Sequence, residues 1–357
     1  MKKKIKVLII DDSALIRSLI SEILSAYSYI QVLGSAEDPY EARDQIKRLN
    51  PDVLTLDIEM PRMNGITFLR NIMRLHPMPV IMISTLTEEG APATLEALEI
   101  GAIDFLAKPK VNVAQEMSKY ADELYDKICT AASSVPRPLP NPAIEAQSHL
   151  KVARPEGVMF NANHLVAIGA STGGTEAIKE VITRLPAHFP PIVIAQHIPP
   201  IFSSSYAMRM DSVCKMNVYE AEHDQPIEHG CIYIAPGNDH LTIKKNGSKL
   251  ICQLSRAEPV NRHRPSVETL FNSVAEVMGK SATGIILTGM GSDGALGLLN
   301  MRNAGCRTIA QDQQTSVVWG MPKAAVDMEA AEKILPLFNI ADVAMRMAMK
   351  KNQSRIG

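Results

Sequence analysis

Apolar residues along this chain fall into short dense runs, and between the runs they recur every three or four positions. In the first 125 residues the runs are KVLIID (6–11), IQVLGSA (30–36), DVLTLDI (52–58), PVIMIST (79–85) and AIDFLAK (102–108). Apolar runs with so little alternation predict strands buried on both faces. The stretches between them, such as ALIRSLISEILSAY and GITFLRNIMRLH, have helical spacing, and AQEMSKYADELYDKICTAA predicts a closing helix. Five such βα repeats predict a doubly wound α/β unit, for which the flavodoxin-like parallel sheet order 2-1-3-4-5 is one of the two common arrangements.

The second half opens in the same way. HLVAIGAS reads as strand, TEAIKEVITRL as helix, PIVIAQH as strand and SSSYAMRMDSVC as helix. The section CIYIAPGNDHLTIKKNGSKLICQL predicts hairpins, with a two-residue turn at Asn246-Gly247. After it come PSVETLFNSVAEVMG as helix, ATGIILTG as strand and GALGLLNMRNAG as helix. A Rossmann-like α/β unit with an antiparallel hairpin section is expected. Between the halves, AASSVPRPLPNPAIE (131–145) holds four prolines, which fix φ and lack an N–H. That stretch predicts an extended, semi-rigid linker. The expected division is a first unit at 4–125, a Pro-rich linker at 126–160 and a second unit at 161–350.

Composition narrows the class. With 46% hydrophobic and 21% charged residues and a formal net charge of -1, this is the make-up of a soluble globular protein. Basic residues nowhere gather into the face that nucleic-acid binding needs. The five cysteines are widely spaced and form no CxxC, so neither a disulfide framework nor a zinc site is expected. The start, MKKKIKVLIIDDSALIR, has an apolar run too short for a secretory signal, and no run reaches the ~18 residues of a membrane span. A cytoplasmic protein without membrane insertion is the expectation.

Candidate chemistry in the first half gathers at strand ends. Asp11 and Asp12 end the first strand and Asp57 the third, and in order 2-1-3-4-5 those strands are neighbours at the switch point. Three carboxylates there repel one another unless a cation joins them, and oxygen ligands in that number suit Mg²⁺. The other reading has Asp12 capping the next helix and the rest solvated. Ser84 ends strand four, and Lys108, before Pro109, ends strand five. Two acids, a central Asp, a hydroxyl and a Lys-Pro at successive strand ends resemble the receiver domain of response regulators. That resemblance implies that Asp57 is the phosphoacceptor and that Asp11 and Asp12 help it hold Mg²⁺. It also implies that Ser84 hydrogen-bonds the phosphoryl group and Lys108 pairs with it. Phe105 stands where receivers carry a switching aromatic, and it fits core packing equally.

In the second half, VAIGASTGGTE (166–176) runs from a strand into glycines and hydroxyls. It lacks the Gly-Lys-Ser/Thr end of a Walker phosphate loop and fails G-x-G-x-x-G. It does match G-x-S-x-G on a strand-to-helix turn, which exposes Ser171 as a nucleophile; the glycines also suit close helix–strand packing. His197, at the carboxyl end of the next strand, is the base candidate. Asp293, in the Gly-rich loop after ATGIILTG, is either the base's orienting carboxylate or a helix cap. The same loop brings backbone N–H groups such as that of Met290 toward an oxyanion. The order Ser…His…Asp is not the Ser…Asp…His of α/β-hydrolases, so a separate Rossmann-like solution is expected.

IGASTGGTEAI, IAQHIPP, APGNDHL, RHRPSVETLF and ILTGMGSDGALG, following a receiver, resemble the CheB family of chemotaxis protein-glutamate methylesterases. The resemblance implies Ser171 as nucleophile, His197 as general base and Asp293 as its partner, with Thr172 and Met290 flanking the oxyanion. It implies γ-glutamyl methyl esters of methyl-accepting chemoreceptors as substrate, deamidation of receptor glutamines, and no cofactor for the ester chemistry. It further implies phosphorylation by the chemotaxis histidine kinase and a receiver that covers the esterase cleft until then. His240 and Arg264 either line the cleft or pair locally. The competing reading is a receiver with a DNA-binding or nucleotide-binding output domain.

Overall fold

The computed structural model describes residues 3–85, 87, 90–108, 114–134, 136 and 159–350. The chain divides into two compact units, residues 1–150 and 151–357. In the first, β1 (Ile5–Ile10), β2 (Ile30–Ala36), β3 (Val53–Asp57), β4 (Val80–Ser84) and β5 (Asp104–Ala107) form one parallel sheet in order β2-β1-β3-β4-β5. Around it run α1 (Ala14–Ser25), α2 (Pro39–Leu49), α3 (Gly65–Leu75), α4 (Ala91–Ile100) and α5 (Ala114–Ser133). β3 and β4 are buried at every residue, which is why their sequences show no alternation. Side chains set the helix starts. Asp38 accepts the N–H groups of Tyr40 and Glu41 at 2.8 and 2.9 Å, with Pro39 in the first turn, and Asn64 accepts that of Thr67 at 2.9 Å. Because α5 continues through Ser133, the expected linker begins as helix; residues 135 and 137–158 lie outside the described residues.

In the second unit the elements are β6 (Leu165–Ala170), α6 (Gly174–Ile182), β7 (Ile192–Gln196), α7 (Pro200–Val213), β8 (Asn217–Glu220), β9 (Cys231–Ile234), β10 (His240–Asn246) and β11 (Lys249–Ser255). They continue with α8 (Val267–Met278), β12 (Ala282–Ile286), α9 (Ala295–Asn303), β13 (Arg307–Gln311), α10 (Met321–Asp327), β14 (Lys333–Leu335) and α11 (Leu337–Ala348). Seven strands form a wholly parallel sheet, β14-β13-β12-β6-β7-β9-β8. From β6 the chain fills one side of the sheet, with β8 at the edge and β9 inserted between it and β7, and from β12 it fills the other. β6 and β12 therefore flank the point where strand order reverses, the place at which open α/β sheets bind ligands.

The expectation of hairpins across residues 231–254 holds only from His240 onward. β10 and β11 pair antiparallel about Asn246-Gly247, whereas β9 is an interior parallel strand between β7 and β8. All four β9 residues are buried, so it resembles the other central strands and not a half-exposed hairpin arm. β8, β13, β14 and the last two helices add to the predicted set. The hairpin and α8 pack together through Leu241, Ile243 and Phe271, all buried, and this places the start of α8 over the reversal point. Phe160 bridges to Met349, and Asn161 N–H donates to Ala348 O at 2.9 Å, so the first and last described segments of the unit meet. Among the described residues no helix is long and apolar enough to cross a membrane.

Candidate active site and phosphoacceptor pocket

Oxygen atoms of Asp11, Asp12 and Asp57 lie within 4.8 Å of one another at the carboxyl ends of β1 and β3. Lys108 Nζ reaches in to 2.8 Å from Asp57 Oδ2 and 3.2 Å from Asp11 Oδ2. Asp57 Oδ1 accepts Glu59 N–H at 3.3 Å and Asp11 Oδ1 accepts Ser13 N–H at 2.8 Å. Burial outweighs the Lys108 hydrogen bond and pushes Asp57 up to about 6, and it raises Asp11 as well. Among the described residues one ammonium stands against three carboxylates, which leaves the pocket rich in negative charge and in hard oxygen donors and fits Mg²⁺. The capping role open to Asp12 falls to Ser13, whose Oγ accepts Ile16 N–H. Ser84 is buried at the end of β4; its Oγ donates to Thr85 O at 3.3 Å and lies 3.5 Å from Thr94 Oγ1. Phe105 is buried, with the Lys127 ammonium 5.9 Å from its ring centre, so here it packs in the core.

In the second unit three loops at the carboxyl edge bring Ser171, His197 and Asp293 together. Ser171 follows β6 and His197 follows β7, while Asp293 lies in the loop between β12 and α9. His197 Nδ1 is 3.1 Å from Ser171 Oγ and its Nε2 is 2.9 Å from Asp293 Oδ2. The two ring nitrogens thus face their partners in the reverse of the common serine-protease arrangement.

Asp293 does meet a helix start, but not that of the helix it precedes. Its Oδ2 accepts Val267 N–H at 2.7 Å, and its Oδ1 accepts Ser266 Oγ–H at 2.9 Å, Asn261 Nδ2–H at 2.8 Å and Glu268 N–H at 3.3 Å. It therefore sits on the N-terminus of α8, where a negative charge is favoured. Burial opposes its ionisation, but these bonds and the one from His197 overcome that and pull it down to about 2.

The nucleophile turn is tied to the loop after β12 by Thr288. Ser171 N–H donates to Thr288 O at 3.0 Å, and Thr288 Oγ1 donates to Thr172 O at 3.0 Å and accepts Val318 N–H at 2.9 Å. Two glycines make the turn possible. Gly173, at φ 74, starts α6 in a left-handed conformation, and a Cβ on Gly289 would stand 2.8 Å from Ser171 Cβ. Met290 follows Gly289 directly, so its backbone and that of Thr172 border the nucleophile. Gln196 Nε2 donates to Ser171 O at 3.0 Å and to His197 O at 3.2 Å, joining the two strand ends.

His240 and Arg264 pair locally. Buried His240 accepts Ser266 N–H at 3.2 Å on Nδ1 and faces Glu258 O at 3.1 Å, while Arg264 donates to Asn238 Oδ1 and Ala257 O. Asn261, His263, Ser266 and Thr288 also border the site and are not among the residues expected from the sequence. Only Ser266 had a local signal, a serine directly before an apolar helical run.

A receiver-like pocket and a Ser–His–Asp set at the switch point of a second α/β sheet define a response regulator with a hydrolase output. Residues 166–344 match the CheB methylesterase family and residues 7–118 the response regulator receiver domain. The chain is 56% identical, over 98% of its length and 100% of the relative's, to protein-glutamate methylesterase/protein-glutamine glutaminase 2 of Saccharophagus degradans. It is 52% identical to the protein of that name numbered 1 in Hahella chejuensis, over 95% of each chain. The crystal structure of the Thermotoga maritima CheB methylesterase catalytic domain matches with a TM-score of 0.51 at 38% identity, over 52% of this chain and 98% of that one. The chain belongs to the CheB methylesterase family, and a DNA-binding output is not supported.

Proposed function

We propose that this protein hydrolyses γ-glutamyl methyl esters on methyl-accepting chemoreceptors, and deamidates glutamines there, under the control of phosphorylation at Asp57. The observation that carries the reading is the His197 ring seated between Ser171 Oγ and Asp293. As Ser171 Oγ attacks the ester carbonyl, its proton passes to His197 Nδ1. Asp293, ionised at any working pH, stabilises the imidazolium through Nε2–H. The carbonyl oxygen gains charge beside the backbones of Thr172 and Met290. His197 then returns the proton to the leaving methoxide, releasing methanol, or to the leaving amine when the substrate is an amide. Water, deprotonated by His197, hydrolyses the glutamyl-serine ester. General base catalysis supplies about 10²–10⁴-fold and each oxyanion donor about 10²–10³-fold.

In the receiver, 4–125, Asp11, Asp12 and Asp57 would hold Mg²⁺, which when bound neutralises the carboxylates and the incoming phosphoryl oxygens. Asp57 accepts the phosphoryl group from the chemotaxis histidine kinase, Lys108 moves its bond from Asp57 to the new oxygens, and Ser84 gives up Thr85 to meet them. Residues 126–160 link this unit to the catalytic unit, 161–350, and the reaction is cytoplasmic. Ser171→Ala should abolish methanol release from methylated receptor, and a phosphonylating reagent should mark Ser171 in the wild type. Retained release by the folded variant overturns the reading.

A further inference from the structure

The turn Val260–His263 is closed by two backbone hydrogen bonds, Val260 N–H to His263 O at 3.1 Å and His263 N–H to Val260 O at 2.9 Å. Its two central residues, Asn261 and Arg262, both adopt left-handed backbones, with φ of 53° and 70°. Neither is glycine. Asn tolerates that region, but Arg does so only against steric resistance, and such conformations persist where surrounding structure imposes them. What the turn delivers is contact with two members of the triad. Asn261 Nδ2 donates to Asp293 Oδ1 at 2.8 Å. The His263 ring lies flat on the His197 ring, with centroids 3.7 Å apart and planes 13° apart.

We propose that the Val260–His263 turn is a positioning element for the general base, in which His263 fixes the plane of the His197 ring and Asn261 helps fix the carboxylate at its edge. The proposal rests on the reading of Ser171, His197 and Asp293 as the catalytic set. Its physical ground is a freedom the triad leaves open. The covalent bond at Cγ and the hydrogen bonds at Nδ1 and Nε2 locate the imidazole, but hydrogen bonds tolerate a range of angles, so the ring can still tip by libration. Tipping swings the Nδ1 lone pair out of line with the Ser171 proton. A second flat ring at stacking distance blocks that motion, and Asp293, held on the other side by α8, keeps the edge in place. Asn261 shares Asp293 Oδ1 with Ser266 and Glu268, so its loss is the milder one.

The test is methyl-ester hydrolysis by the purified full-length protein, with kcat and KM separated. His263→Ala should lower kcat by about 10-fold to 10²-fold, the loss typical of a slightly misplaced catalytic group, with KM little changed. His263→Phe, which keeps a flat ring, should recover most of kcat; His263→Leu, which fills space without one, should not. Asn261→Ala should lose less than His263→Ala. In a His197→Ala background, His263→Ala should leave the residual rate where it was, because its effect runs through the missing ring. Wild-type kcat in His263→Ala, a Phe variant as slow as the Leu variant, or an undiminished loss in the His197→Ala background each overturns the proposal. If the Ala variant fails to melt cooperatively, the Phe and Leu pair decides. Activity retained by Ser171→Ala would instead sink the catalytic reading itself. Loss there, with His263→Ala at wild-type kcat, sinks this proposal alone.

Discussion

Asp57 and Asp293 are both buried aspartates at the carboxyl edge of a parallel sheet, and both contact a basic side chain, yet their acidities part in opposite directions. Asp57 is pushed up to about 6 and Asp293 is pulled down to about 2. Burial raises both, so burial cannot be the difference. Donor supply is. Among the described residues Asp57 has one ammonium, shared with Asp11, and a single backbone N–H at 3.3 Å. Asp293 has donors on both oxygens from Asn261, Ser266, Val267, Glu268 and His197. One fold position thus yields two kinds of carboxylate. Asp57 has few positive partners among the described residues, which suits the cation and phosphoryl group proposed for it. Asp293 is saturated, and a saturated carboxylate is fixed in charge and in place.

The strongest way to break this contrast is Asp293→Asn, which keeps the shape and removes the charge. It should cut kcat about 10⁴-fold in methanol-release assays, because an amide cannot hold the imidazolium. A loss under about 10-fold would make Asp293 a structural anchor only. Next is Asp57→Asn. Acetyl phosphate with Mg²⁺ should raise ester hydrolysis in the wild type, the rise should vanish with EDTA, and the variant should show none. Equal stimulation of both proteins would remove Asp57 from the account. The smallest effect is on stability. The Asp293 acidity is depressed from its ordinary 3.8 to about 2, so its contribution is nearly complete above about pH 4.5 and drains away as pH falls toward and through 2. That contribution is about 2 kcal/mol by linkage. The protein has a single tryptophan, Trp319, whose fluorescence reports on the catalytic unit. The stability gap between wild type and Asp293→Asn, followed by urea unfolding, should be flat from pH 7 to 4.5 and narrow below. A gap that narrows already between pH 7 and 5 contradicts the low value.

Much of this was legible in the sequence, for reasons that can be located. The receiver's five strands are buried on both faces, so each appears as an apolar run, and its acids stand at strand ends where position in sequence translates into position in space. Ser171 and His197 were readable on the same ground. Residues 231–234 were misread as part of a hairpin, because a four-residue buried strand next to a true hairpin carries no mark of its partners' direction. β8, with two of its four residues exposed or nearly so, has too weak a pattern to declare itself. His263, Asn261 and Thr288 act across the fold on residues 30 to 120 positions away, and no local spacing encodes such contacts. For Asp293 the sequence leaves open a partner to His197 or a cap on the following helix; its carboxylate bonds His197 and the start of a helix that precedes it in the chain.

The pairing of Phe160 with Met349 has an engineering consequence. Because entry to and exit from the catalytic unit are neighbours, the order in which its strands are synthesised is separable from the order in which they lie in the sheet. A short bridge between residues 160 and 349, with new termini opened at the exposed Asn246-Gly247 turn, would retain every parallel strand pairing. Such a circular permutant would place the Ser171 turn late in synthesis and the Asp293 loop early. The unit is, in that sense, a closed ring cut at one convenient place.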